Sequence, residues 1–160
     1  MSAQIRDGAG SSRPVDAKGE GAMEGVPKGL IHEADTLLQA PWYRRDPYLL
    51  FFPLGIVLSW SGVGHWLLFA LGLSQGANPI AHAMVQVQGF LMAFAVGFLF
   101  TMIPRRTGTH PPNAWEIAIC ALALVVTTLA AWWQQWHLAQ AAWLLLAVVL
   151  VAFAVRRFTA

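Results

Sequence analysis

Charge is what this sequence has least of. Asp, Glu, Lys and Arg make up 11% of its 160 residues, against about 25% in ordinary soluble domains. From Ile56 to Met102, and again from Ile117 to Val155, there is none at all. Apolar residues supply 57% of the chain, and uncharged apolar runs of this length read as membrane spans rather than core elements. The formal net charge of +2 does not argue for a nucleic-acid partner. Most of the arginines border the apolar runs, where orientation in a bilayer explains them better.

Cysteine is nearly missing as well. Cys120 is the only one and falls inside an apolar run. An intrachain disulfide is therefore excluded, and the thiol reads as a small apolar filler. The first forty residues lack an apolar core, so no cleavable signal peptide is expected. A nucleotide-binding Gly-rich loop, paired carboxylates and a nucleophile-base arrangement are absent too. Soluble-enzyme chemistry has no foothold, and the chain reads as no enzyme on its own.

The pattern that is present gives an all-α, polytopic integral membrane protein with four antiparallel transmembrane helices. Residues 1–40 mix Gly, Ser, Ala and both charge signs without an apolar period, which reads as a disordered cytoplasmic tail. Residues 41–160 form the membrane domain, with spans expected at about 48–71, 80–103, 114–131 and 137–155. Trp42 and Tyr43 suit the headgroup layer ahead of the first span. Gly72 to Pro79 is an uncharged loop rich in helix breakers, closing a hairpin. Pro104 is expected to stop or kink the second span. Asn113 followed by Glu116 is the capping signature of the third. Arg44/Arg45, Arg105/Arg106 and Arg156/Arg157 fall on one side, and the two opposite loops carry no Lys or Arg. The positive-inside rule then makes both termini cytoplasmic.

Polar residues inside the spans are the costly part of such a sequence. At about 100° per residue, His82, Gln86, Gly89, Ala93, Gly97 and Phe100 share one stripe of the second span. Gly89, Ala93 and Gly97 form a small-residue series that admits a close neighbour, so His82 and Gln86 are expected to face protein. Gln88 lies off the stripe and needs another neighbour. On the first span Ser61, Gly62 and His65 form a similar patch. Counted at about 1.5 Å per residue, His65 sits roughly 8 Å and His82 roughly 14 Å outside the midplane, with Gln86 level with His65. Hydrogen bonding between helices explains His65, His82 and Gln86. Metal or haem ligation by neutral imidazole explains them equally well. A proton path is poorly served without a buried carboxylate. His137 reads as an interfacial histidine beside Trp132, Trp133 and Trp136.

The run HAMVQVQGFLMAFAVGFLFTMIPRRTGTHPP, together with the earlier PYLLFFPLG, resembles the NnrS family of bacterial inner-membrane proteins. The likeness lies in a histidine opening the span, a Gln-Gly-Phe step within it, and a Pro-Arg-Arg-Thr-Gly exit into a Pro-rich loop. It covers roughly Trp42 to Trp133. The resemblance implies a membrane protein that binds haem and copper and takes part in the response to nitric oxide and nitrosative stress. It carries His82 over as a ligand of the cofactor or metal, with His65 in the second position; Gln86 joins them as a cofactor-binding candidate from its place on the polar stripe. Thr101, Pro104, Arg105, Thr107 and Gly108 match the exit motif, with a structural role. Members often carry His-x-His where this chain has Ile80 and His82, and the family has more than four spans. The chain thus reads as a short or truncated member whose partners are the bilayer and further transmembrane helices or a second copy. The competing expectations are a cofactor-free membrane assembly module and a generic b-type haem electron-transfer subunit.

Overall fold

A computed structural model describes residues 41–73, 76 and 78–159. The expected tail at residues 1–40 lies outside the described residues. Among those described there is no strand. A four-residue helix α1 (Trp42–Arg45) precedes four long ones, α2 (Tyr48–Ala70), α3 (Pro79–Thr107), α4 (Ala114–Trp132) and α5 (Trp136–Phe158). These four run to 23, 29, 19 and 23 residues, and each contains an apolar stretch long enough to cross a membrane, for which about 20 residues are needed. The all-α, four-span architecture is therefore as expected from the apolar runs.

Helix α3 carries most of the local detail. The Asn78 side chain accepts from the amides of Ile80 and Ala81 at 3.0 and 3.1 Å, and Pro79 follows at the first helical position, where its missing donor costs nothing. The middle, Val85–Leu91, is π-helical. A uniform 100° per residue fails across this segment, because a π-turn is wider than an α-turn. Pro104 does not stop the helix, contrary to the expected end near residue 103. The helix continues to Thr107, and Gly108 ends it with φ of 66°, the left-handed conformation that glycine adopts freely. The hydroxyls of Thr101 and Thr107 bond back to the carbonyls of Gly97 and Ile103 at 2.8 Å, so each finds its partner on its own helix.

The small residues of α3 do bring helices close. A Cβ on Gly97 would lie 2.9 Å from Phe51 Cβ and 3.2 Å from the Tyr48 backbone, both on α2. One on Gly89 would lie 2.9 Å from Thr128 Oγ1 on α4. The stripe from His82 to Phe100 thus faces protein, but it serves two neighbours rather than one. Phe51, Phe100 and Phe153 are fully buried and join α2, α3 and α5, with ring centroids 5.9 and 4.5 Å apart along the chain of three. Their large apolar area makes this half of the bundle its core.

The arginines gather at that same end. Asp46 accepts from Arg45 at 3.0 Å and from Arg105 at 2.6 Å. Arg44 Nε donates to the Pro112 carbonyl at 3.0 Å. Arg157 donates to the carbonyls of His110 and Pro111 and lies 3.6 Å from Glu116, itself 2% exposed. The expected capping contact is present as well, with the Asn113 amide donating to Glu116 Oε2 at 2.7 Å.

Candidate functional site

The opposite end of the bundle holds the two intramembrane histidines. His65 lies one and a half turns before the end of α2, and His82 lies in the first turn of α3. Their ring centroids are 6.2 Å apart, at 42°. The expectation that His82 sits a turn farther out than His65 is not met. That estimate measured each residue from its own span's middle, yet α2 has 23 residues and α3 has 29, so the two middles do not coincide.

One carbonyl organises the pair. His65 Nδ1 lies 3.1 Å and His82 Nδ1 2.9 Å from the Gly62 oxygen. A carbonyl can only accept, so both rings carry their proton on Nδ1. His65 Nε2 agrees with this tautomer, since it accepts from the Asn78 amide at 2.9 Å. Both ring nitrogens of His65 are therefore engaged within the chain, and the residue is 8% exposed. His82 is half-buried, and its Nε2 has no partner among the described residues. Two tryptophans stand beside the rings, with Trp66 edge-on to His82 at 5.9 Å and Trp132 edge-on to His65 at 5.6 Å.

Gln86 joins a different set of contacts. Its Nε2 donates to the Ser59 carbonyl at 3.1 Å, and its Oε1 accepts from the Ser59 hydroxyl at 3.2 Å. It is not level with His65 but sits deeper, opposite Ser59 and Gly62. The patch read on the first span named Ser61, whose hydroxyl instead bonds back to Leu58 of its own helix. Ser59, the partner that matters, was missed; its alternation with Ser61 gave no signal as to which faced α3. Gly62 is required where it stands, because a Cβ there would lie 2.7 Å from Gln86 Nε2 and 2.8 Å from Val85 Cγ1.

A cavity of about 200 Å³ opens beside the imidazoles, lined by Gly62, His65, Asn78, His82, Trp132 and Gln134 among others. It accommodates a metal ion or a few waters. Pockets that enclose a drug-sized ligand begin near about 300 Å³, and a haem is no smaller than that. The two imidazoles also converge on one carbonyl rather than facing each other across a slot. A haem therefore does not fit between His65 and His82, and one held at this end needs a wall from outside the described residues. Imidazole donors do suit copper. His82 Nε2 is available to it, and His65 Nε2 becomes available if the Asn78 amide is released. Among the described residues no cluster of three or more His, Cys, Asp or Glu forms, so these two are the donors at hand.

No curated protein and no solved structure matches the chain. The family model described as NnrS protein matches residues 43–160, a stretch that contains all four spans and the histidine pair. The chain belongs to the NnrS family.

Proposed function

We propose that this chain is a bacterial inner-membrane protein of the nitric oxide response that holds copper at His82, with His65 as the second ligand. Both termini lie in the cytoplasm in this reading, since every arginine-bearing loop is at one end of the bundle. The histidine cavity then opens on the opposite, periplasmic face. The observation that carries the proposal is the state of His82. Its Nδ1–H is tied to a backbone carbonyl at 2.9 Å while Nε2 has no partner among the described residues, the arrangement by which a ligating histidine is held in one tautomer and orientation. Bound copper supplies one-electron chemistry suited to a radical such as nitric oxide. The chain's own part is to fix the imidazoles, wall the site with Trp132, and keep carboxylates away from it.

The test is copper content and function measured together. Purified protein loaded with Cu(I) is expected to retain close to one copper per chain, and His82→Ala to retain almost none. A host exposed to a nitric oxide donor is expected to grow better with the wild type than with His82→Ala. Copper retention unchanged by His82→Ala would sink the reading.

A second reading is favoured by His65. Both of its nitrogens are satisfied by Gly62 and Asn78, so it links the first two spans without any cofactor. In that reading the chain is a membrane assembly module, and wild-type protein carries no metal.

A further inference from the structure

Asn78 touches both members of the histidine pair. Its backbone N–H donates to His65 Nε2 at 2.9 Å, and its backbone carbonyl accepts from the His82 amide at 3.0 Å. Its side chain is committed as well, with Oδ1 accepting from the amides of Ile80 and Ala81. The residue is half-buried and lines the same cavity as the two imidazoles. One residue thus ties His65 of α2 to the turn of α3 that carries His82.

The His65 ring leaves no way round this contact. Its Nδ1 carries the proton and is held by the Gly62 carbonyl at 3.1 Å, so Nε2 has the ring's one in-plane lone pair. A lone pair that accepts from an amide is closed to a metal. Ligation at His65 therefore requires the Asn78 N–H to let go. Ligation at His82 Nε2, which has no partner among the described residues, requires nothing of Asn78.

We infer that the Asn78 amide is a built-in competitor for His65, which sets the affinity of the site and is released when both histidines ligate. The inference rests on the copper reading above. His82 offers its nitrogen in the resting protein, and His65 offers one only after the contact with Asn78 breaks. Asn78 does not move alone, because its carboxamide caps the first turn of α3 and Pro79 follows it. Weakening that cap makes the release easier, and a looser Asn78 then favours the metal.

Backbone hydrogen exchange of the full chain in detergent micelles tests this, with Cu(I) as the only added ligand. Loading is expected to speed exchange of the Asn78 amide about tenfold, as loss of one hydrogen bond implies. A ligand ordinarily protects the residues around it, so the sign is distinctive. In His65→Ala the amide should already exchange fast, and copper should not speed it further. Asn78→Ala removes the cap and keeps the N–H. It should bind Cu(I) about three- to tenfold more tightly in competition with a chromogenic chelator. Asn78→Ser restores a capping oxygen and should return to the wild-type affinity. A merely structural Asn78 predicts the opposite sign, and weaker binding in Asn78→Ala would overturn the inference. An Asn78 amide that stays protected in loaded protein, with copper still lost in His82→Ala, would overturn it and leave the copper reading standing. Copper retained in full by His82→Ala removes both.

Discussion

The imidazoles of His65 and His82 give their Nδ1 protons to the same acceptor, the carbonyl of Gly62, at 3.1 and 2.9 Å. They nevertheless differ in what the second nitrogen does, and that difference predicts unequal mutants. His65→Ala removes the acceptor of the Asn78 amide at the start of α3. An amide left without a partner in a shielded place costs about 1–3 kcal/mol. His82→Ala loses one hydrogen bond at a half-buried position, about 1 kcal/mol. Unfolding in mixed detergent micelles is expected to rank the two in that order, and His65→Ala as the milder variant would count against the tautomers assigned here.

Glycine positions give a prediction with an internal control. On Gly97 a Cβ meets Phe51 and the backbone of Tyr48, so neither neighbour moves without displacing α2. Overpacking of this kind costs about 1–3 kcal/mol. On Gly64 of α2 a Cβ meets nothing within 4 Å, and Gly→Ala in a helix gains about 0.5–1 kcal/mol. The same unfolding assay is expected to show Gly97→Ala destabilised and Gly64→Ala unchanged or improved.

The spans were legible because lipid leaves no alternative. An apolar run without charge must satisfy its backbone internally, so length and composition give four membrane-length helices, although α3 and α5 run past their expected ends to Thr107 and Phe158. The stripe on α3 was legible for the same reason, since small residues at i, i+4 and i+8 (Gly89, Ala93 and Gly97) serve close approach. What the residues did not reveal is set by pairings between helices. The π-helical segment Val85–Leu91 has no composition of its own, and its wider turns spoil angles counted along the chain. Ser59 and Ser61 are equivalent until α3 is packed against them. At the site, His65 and His82 were named for being ionisable in hydrocarbon, and they do meet. The carbonyl that joins them belongs to a glycine, which offers no side chain to notice.

Glu116 and Arg157 show how a local reading falls short of a tertiary one. Glu116 was recognised as a capping residue and Arg157 as an orientation marker, yet they lie 3.6 Å apart with side chains 2% and 10% exposed. Arg157 also carries the carbonyls of His110 and Pro111 and stands 3.7 Å over the Phe153 ring. It therefore ties the loop after α3 to the end of α5. Removing one partner of a shielded ion pair costs about 3–5 kcal/mol, because the other charge is left uncompensated. Arg157→Ala is expected to fall in that range. Arg157→Lys keeps the charge but not the planar fork, and should recover less than half of the loss. Proteolysis between α3 and α4 reads the loop directly, and it should accelerate in Arg157→Ala and remain near wild type in Arg156→Ala.

Trp66 and Trp132 make the proposed copper site visible without any activity. Their rings stand 5.9 Å from His82 and 5.6 Å from His65, while Trp42 and Trp115 belong to the arginine end. A redox-active ion bound between the imidazoles lies within contact range of the first two indoles and a helix length from the others. Copper titration should therefore quench part of the tryptophan emission, saturating at the stoichiometry found by direct metal analysis. Trp66→Phe and Trp132→Phe should each remove a share of that quench, and Trp115→Phe none. His82→Ala should abolish it while leaving the starting emission unchanged. Quenching that persists in His82→Ala would place the copper elsewhere and leave His65 and His82 as a link between helices.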